Sequence, residues 1–215
     1  MDALRFTADD GVSIEGDLRP PDGEPRGSAV LCHAHPRGGG SKDHPILWAI
    51  RGELAGRGLA VLSFNFRGVM GSGGSYGAGR AEERDVAAAI GRAREAAAGP
   101  TLVCGWSFGA NVALREACTD ERVAALALLG IPLGESGLDL PPLPTPSELR
   151  VFRRPVLLVS GQGDTFSPAP ELESLARTLR PSELAIVPGT DHFFWRREAQ
   201  VAERIGNFAD RALFG

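Results

Sequence analysis

Six short, nearly continuous apolar runs are the feature of this sequence that most constrains its fold. They occupy residues 29–32, 59–64, 101–104, 123–129, 156–159 and 184–187. Runs of this kind are typical of parallel strands that are covered on both faces. Segments with helical character lie between or after them, near residues 46–54, 82–98, 107–118, 170–179 and 202–212. This alternation predicts βαβ units, and hence a largely parallel sheet with helices on both faces.

Residues 1–18 predict a different kind of pairing. The turn signal Asp9-Asp10-Gly11 separates residues 4–7 from the alternating apolar residues of 12–18, so we expect an antiparallel hairpin with one buried face. With this hairpin, the sequence predicts an α/β fold whose mostly parallel sheet has eight strands. A length of 215 residues fits one domain, residues 1–215.

The segment 131–150 stands apart because it contains five prolines, at positions 132, 141, 142, 144 and 146. We expect no regular structure there. Two interpretations stay open. The segment is either a rigid surface connection or a minimal lid that shapes the mouth of a site at the sheet edge.

Composition excludes several classes of function. The net charge is −4 and the arginines are dispersed along the chain, which argues against a nucleic-acid surface. No stretch approaches the roughly 18 apolar residues of a membrane span, and residues 1–10 do not resemble a signal peptide. Cys32, Cys104 and Cys118 are odd in number and lie in or beside apolar runs. We therefore expect buried free thiols, a reducing compartment and a cytoplasmic location.

The strongest motif is G-W-S-F-G at residues 105–109, which follows an apolar run and precedes a helical segment. A tight strand–turn–helix of this kind holds a serine in strained geometry with its oxygen exposed. Ser107 is therefore the candidate nucleophile. The alternative is a glycine-rich turn in which the serine only caps the helix.

A serine nucleophile needs a base, and the base needs an orienting acid. Asp164 follows the run at 156–159, and His192 follows the run at 184–187. The order Ser, Asp, His, each after a strand, predicts that Ser107, Asp164 and His192 meet at one sheet edge. Each assignment has an alternative. Asp191 is the rival for the role of orienting acid, and Asp164 is also suited to capping the next helix. His192 could instead be a structural histidine.

The run at 29–32 leads into C-H-A-H-P-R-G-G-G at residues 32–40. In hydrolases with this motif order the corresponding loop supplies a second oxyanion donor. Pro36 has no N–H, so we predict the backbone amides of Arg37 and Phe108 as the donors. A metal site is the competing hypothesis for four residues of this region, but no ordered ligand series extends beyond them. These residues are His33, His35, Asp43 and His44.

Together these segments resemble a small, nearly lidless branch of the α/β-hydrolase superfamily that includes carboxylesterase-like and dienelactone-hydrolase-like proteins. The resemblance rests on residues 33–39 (H-x-H-P-x-x-G-G), 64–68 (F-N-F-R-G), 105–110 and 189–194 (G-T-D-H-F-F). It implies the α/β-hydrolase fold, no cofactor, and Ser107, Asp164 and His192 as the triad. Because this triad already accounts for a catalytic site, we expect no metal. Dienelactone hydrolases proper use cysteine where this chain has Ser107, and the Pro-rich stretch has no counterpart in the branch.

The predicted function is that of a carboxylesterase-like serine hydrolase acting on a small-molecule ester or related acyl bond. Two alternatives stay open: cyclisation, C–C cleavage or elimination on the same triad, and a non-catalytic binding module. The aromatic residues near the motifs favour an apolar pocket, although they are equally suited to the core. These residues are Trp106, Phe108, Phe166, Phe193, Phe194 and Trp195. The sequence predicts neither a nucleic-acid nor a membrane partner, and it leaves open whether the chain forms a homodimer.

Overall fold

A computed structural model describes residues 1–134 and 137–215. The strands are β1 Asp2–Thr7, β2 Ser13–Arg19, β3 Gly27–Cys32, β4 Leu59–Phe64, β5 Thr101–Trp106, β6 Val123–Leu129, β7 Val156–Gly161 and β8 Ser182–Val187. The α-helices are α1 Pro45–Gly56, α2 Glu82–Ala96, α3 Phe108–Ala117, α4 Pro146–Val151, α5 Ala169–Thr178 and α6 Glu198–Phe214. A short 3₁₀ turn spans Pro36–Gly38.

The eight strands form one sheet in the order β1-β2-β4-β3-β5-β6-β7-β8. β1 pairs antiparallel with β2, and β2 pairs antiparallel with β4, whereas all other neighbours are parallel. The predicted mostly parallel eight-stranded sheet with an N-terminal hairpin is confirmed. Because the strands from β3 onward run in one direction, their carboxyl ends meet at one edge, where ligands of such sheets bind.

The core lies on both faces of this sheet, and alternate residues of each strand belong to different clusters. In β3, Val30 and Cys32 pack with α2 and α3, while Ala29 and Leu31 pack with α1 and α6. Two covered faces explain why the central strands read as continuous apolar runs. None of the helices described here has the length and apolar character to cross a membrane.

The Pro-rich segment contains a helix, contrary to the prediction that 131–150 has no regular structure. Helix α4 begins at Pro146, where the missing N–H costs nothing. Thr145 and Glu148 form a reciprocal capping box at its start, a signal that was legible in the sequence as T-x-x-E. Residues 135–136 of this segment lie outside the described residues.

Candidate active site

Ser107 lies in the single-residue turn between β5 and α3. Its φ of +56° and ψ of −117° are rarely adopted by a residue with a side chain. Glycines flank the turn because a Cβ on Gly105 would collide with the Gly109 carbonyl, and one on Gly109 would collide with the Cys32 carbonyl. The close approach of strand and helix therefore fixes the serine at the carboxyl edge of the sheet.

Three side chains from separate loops meet there through two hydrogen bonds. Ser107 Oγ lies 2.9 Å from His192 Nε2, and His192 Nδ1 lies 2.9 Å from Asp164 Oδ2. All three residues are buried. The structure thus brings together Ser107, Asp164 and His192, which the sequence predicts as a triad. A base in contact with a hydroxyl on one side and a carboxylate on the other is arranged to accept the hydroxyl proton.

The two candidate acids are placed differently. Asp164 Oδ1 accepts the N–H groups of Phe166 and Ser167, at 2.9 and 3.0 Å, which leaves Oδ2 directed at His192. Asp191 is exposed, and its carboxylate accepts only the N–H of Phe193, at 3.0 Å, among the described contacts. Asp164, and not its rival Asp191, is therefore the acid in contact with the His192 imidazole.

Two further residues help to place His192, and their roles were not predicted from the sequence, which indicates Trp106 only as a pocket or core aromatic residue and does not single out Gly130. Trp106 Nε1–H donates to the His192 carbonyl at 3.1 Å. Gly130 follows β6 with a φ of +50°, and a Cβ there would lie 2.9 Å from the His192 ring and 3.0 Å from Asp164 Oδ2. The signal for Gly130 was its position directly after an apolar strand, in the same place as the triad residues of neighbouring strands.

The loop after β3 differs from the prediction at Arg37. The Arg37 N–H donates to His35 Nδ1 at 3.1 Å, and its guanidinium lies over the Tyr76 ring, 4.4 Å from the centroid. Its amide is therefore committed to the 3₁₀ turn rather than free for an oxyanion. The backbone N–H groups of His35 and Phe108 have no partner in the described part of the chain, and Phe108 N–H stands at the first position of α3.

The residues of the competing metal hypothesis have other partners. Both ring nitrogens of the buried His33 are used, since Nδ1 bonds the Ala34 carbonyl at 2.6 Å and Nε2 accepts the Phe66 N–H at 3.0 Å.

Two more candidate ligands of this hypothesis are also engaged. Asp43 pairs with Lys42, and His44 Nδ1 caps helix α1 by accepting the Ile46 N–H. Within residues 1–134 and 137–215, no three His, Cys, Asp or Glu side chains are grouped to hold a metal.

A pocket of about 280 Å³ opens beside Ser107 and His192. The Pro-rich segment contributes Leu138 to its lining, and three carbonyls of this segment are held by side chains from elsewhere. The donors are Tyr76 Oη–H to Asp139, Asn111 Nδ2 to Pro141 and Arg115 Nη1 to Pro142, at 3.2, 3.3 and 2.7 Å. The part of the segment that borders the pocket is thus anchored to α3 and to the loop that carries Tyr76.

Comparisons with known proteins agree with this architecture. A family model described as an alpha/beta hydrolase domain matches residues 27–212. An alpha-beta serine hydrolase homologue from Coxiella burnetii is 25% identical with a TM-score of 0.83, and the match covers 96% of each chain. A serine hydrolase without a lid from Xanthomonas campestris is 24% identical with a TM-score of 0.81, over 100% of this chain and 95% of that one. An esterase from Pyrococcus furiosus shares the fold at 19% identity and a TM-score of 0.81, over 98% and 92% of the two chains.

Proposed function

Because this chain belongs to the alpha/beta hydrolase family, we propose that it is a serine hydrolase that cleaves a carboxylic ester through an acyl-enzyme. The observation that carries the proposal is the path from Ser107 Oγ through His192 to Asp164, with 2.9 Å at each step, beside an open pocket. The similarity to an esterase from Pyrococcus furiosus supports the same reaction class.

In the first half of the proposed reaction, Ser107 Oγ attacks the ester carbonyl while His192 Nε2 takes its proton. Asp164 accepts the Nδ1–H bond and stabilises the imidazolium. The tetrahedral intermediate then expels the alcohol, which receives the proton from His192. In the second half, His192 takes a proton from water, the resulting attack releases the acid, and the proton returns to Ser107 Oγ.

For the oxyanion we propose the N–H groups of Phe108 and His35. Phe108 N–H lies at the N-terminus of α3, where the helix dipole also favours negative charge. His35 replaces the predicted Arg37 because its own N–H is free among the described residues and it lines the pocket, which Arg37 does not. Each donor of this kind typically contributes about 10²–10³ in rate.

We also propose a reducing, cytoplasmic environment for this enzyme. Within the described chain the three cysteines are free, and Cys32 and Cys104 are fully buried on neighbouring strands. Burial raises the pKa of the Cys104 thiol to about 12, so it stays protonated and unreactive.

The test combines a fluorophosphonate probe, peptide mapping of the label, and turnover of p-nitrophenyl esters of increasing acyl length. We expect label on Ser107 and ester turnover, and we expect Ser107→Ala to lose about 10⁶ in kcat with its fold retained. Turnover that persists in Ser107→Ala contradicts the proposal. Label on Ser107 without turnover favours cyclisation, C–C cleavage or elimination, and the absence of both favours a binding module.

A further inference from the structure

Among residues 1–134 and 137–215, the side chains that line the pocket beside Ser107 include no Asp, Glu, Lys or Arg. Its lining residues are Ala34, His35, Gly38, Gly39, Gly40, His44, Trp106, Ser107, Leu138, Phe166, His192, Phe193 and Trp195. A charged group on the ligand would find no counter-ion among these described lining residues and would lose hydration on entry. The pocket is therefore suited to an uncharged group.

Aromatic rings make up most of the apolar part of this lining. The His44 ring packs against Trp106 and Trp195, with centroids 4.3 and 5.4 Å away. Phe193 stacks with Trp195 at an interplanar angle of 21° and meets Trp106 edge-on. Burial lowers the pKa of His44, so this ring stays neutral and takes part as an aromatic surface. A continuous aromatic wall thus borders the nucleophile.

The exposure of Phe193 and Trp195 is produced by an unusual backbone. Phe193 is 43% and Trp195 is 53% exposed, whereas Phe194 between them is completely buried. Phe194 and Arg196 have φ values of +56° and +62°, a region that is costly for bulky side chains and that clusters at functional sites. The chain accepts this strain in a turn that leaves two large aromatic side chains exposed at the pocket instead of in the core.

We propose that the substrate is a neutral ester whose acyl group carries a planar aromatic ring, which stacks on Trp195 and Phe193. This inference rests on the proposed function, because the ester carbonyl must reach Ser107. A volume of about 280 Å³ accommodates one ring and a short linker. Offset or edge-on contacts favour an aromatic ring over a saturated ring of the same size, and the three glycines 38–40 add no side chain that would fill the pocket.

The test compares methyl 3-phenylpropanoate with methyl 3-cyclohexylpropanoate, which share the leaving group and the chain length. We expect kcat/KM to be roughly three- to tenfold higher for the aromatic ester, although the cyclohexyl ester is the more hydrophobic of the two. Trp195→Leu should bring this ratio close to one. Trp48→Leu is the matched control, because Trp48 is also 53% exposed but lies on α1 outside the pocket lining.

Equal values for the two esters in the wild type, or a preference for the cyclohexyl ester, would overturn the inference. So would an aromatic preference that survives Trp195→Leu, or one that Trp48→Leu abolishes. These outcomes leave ester turnover and Ser107 labelling intact, so they are distinct from failure of the proposed function. If that function fails, neither ester turns over and the fluorophosphonate does not label Ser107.

Discussion

His33 and His192 make an instructive comparison, because the two histidines look alike in sequence and in burial. Each follows a parallel strand at the carboxyl edge of the sheet, and each has both ring nitrogens hydrogen-bonded. The partners differ. His33 bonds a backbone carbonyl and a backbone N–H, whereas His192 bonds the carboxylate of Asp164 and the hydroxyl of Ser107.

The difference teaches that partner chemistry, and not burial or position, separates a structural histidine from a base. The Phe66 N–H requires an unprotonated Nε2 on His33, so that ring ties the loop after β3 to the chain after β4 in one fixed tautomer. His192 also has a fixed tautomer, but its Nε2 faces a group that can give up a proton. A carboxylate behind it stabilises the cation that results.

Among the changes that test this contrast, the largest effect is expected from removing that carboxylate with Asp164→Asn. The asparagine oxygen still accepts the N–H groups of Phe166 and Ser167, while its NH₂ now faces His192 Nδ1. The imidazole must then carry its proton on Nε2 and cannot accept from Ser107. We expect kcat for ester hydrolysis to fall by about 10⁴ with little change in Tm.

Asp191→Asn is the matched control for this prediction, since Asp191 is an exposed acid that directly precedes His192 in the loop after β8. Its substitution should leave kcat within about threefold, as for other surface changes. A large loss in Asp191→Asn together with a small one in Asp164→Asn would exchange the roles of the two acids.

The next effect concerns His33 and stability rather than rate. Burial lowers the pKa of His33 from 6.5 to about 4. Between these two pH values His33 is protonated in the unfolded chain but neutral in the folded protein. The contribution of His33 is complete above about pH 6.5 and is lost as the pH falls toward 4, and it amounts to about 3 kcal/mol. The free energy of unfolding in urea, measured from pH 7 to pH 4, should fall accordingly.

The variant His33→Gln separates the contribution of His33 from the loss of stability that carboxylate protonation causes over the same pH range. Between pH 7 and pH 4 its free energy of unfolding should fall by less than that of the wild type. An NMR titration of the wild-type ring provides a measurement that does not depend on the variant folding. A His33 pKa near 6.5 would refute the structural role assigned to this histidine.

The same contrast shows which features of the fold and of the site can be predicted from the sequence. Strand runs and chain order were enough to predict the sheet and the meeting of Ser107, Asp164 and His192 at its edge, because both follow from which residues end a strand. The second oxyanion donor was not predictable in the same way. Whether the amide of His35 or that of Arg37 is free depends on a local 3₁₀ turn, which strand periodicity does not encode.

The roles of Tyr76 and Gly130 are harder still to predict from the sequence. Tyr76 Oη lies 3.0 Å from His35 Nε2 and donates to the Asp139 carbonyl. This pair of hydrogen bonds joins three segments that are distant in the chain, and no local sequence pattern predicts it. The position of Gly130 after β6 indicates that it lies at the site edge, but Gly130 acts by having no side chain, so its role becomes clear only when the ring of His192 is placed beside it.

Gly130→Ala should have the smallest of the three effects, a loss of roughly tenfold to a hundredfold in kcat. The new methyl would lie 2.9 Å from the His192 ring and 3.0 Å from Asp164 Oδ2, and displacement of a catalytic group by less than about 1 Å costs up to about 10². Gly11→Ala is the control, because Gly11 also has a positive φ, +83°, yet a Cβ there would meet nothing within 4 Å. Both variants should lose stability through backbone strain, but only Gly130→Ala should lower kcat. Equal kcat values in the two would show that the space left by Gly130 does not set the position of His192, and the contrast between the two histidines would then rest on their partners alone.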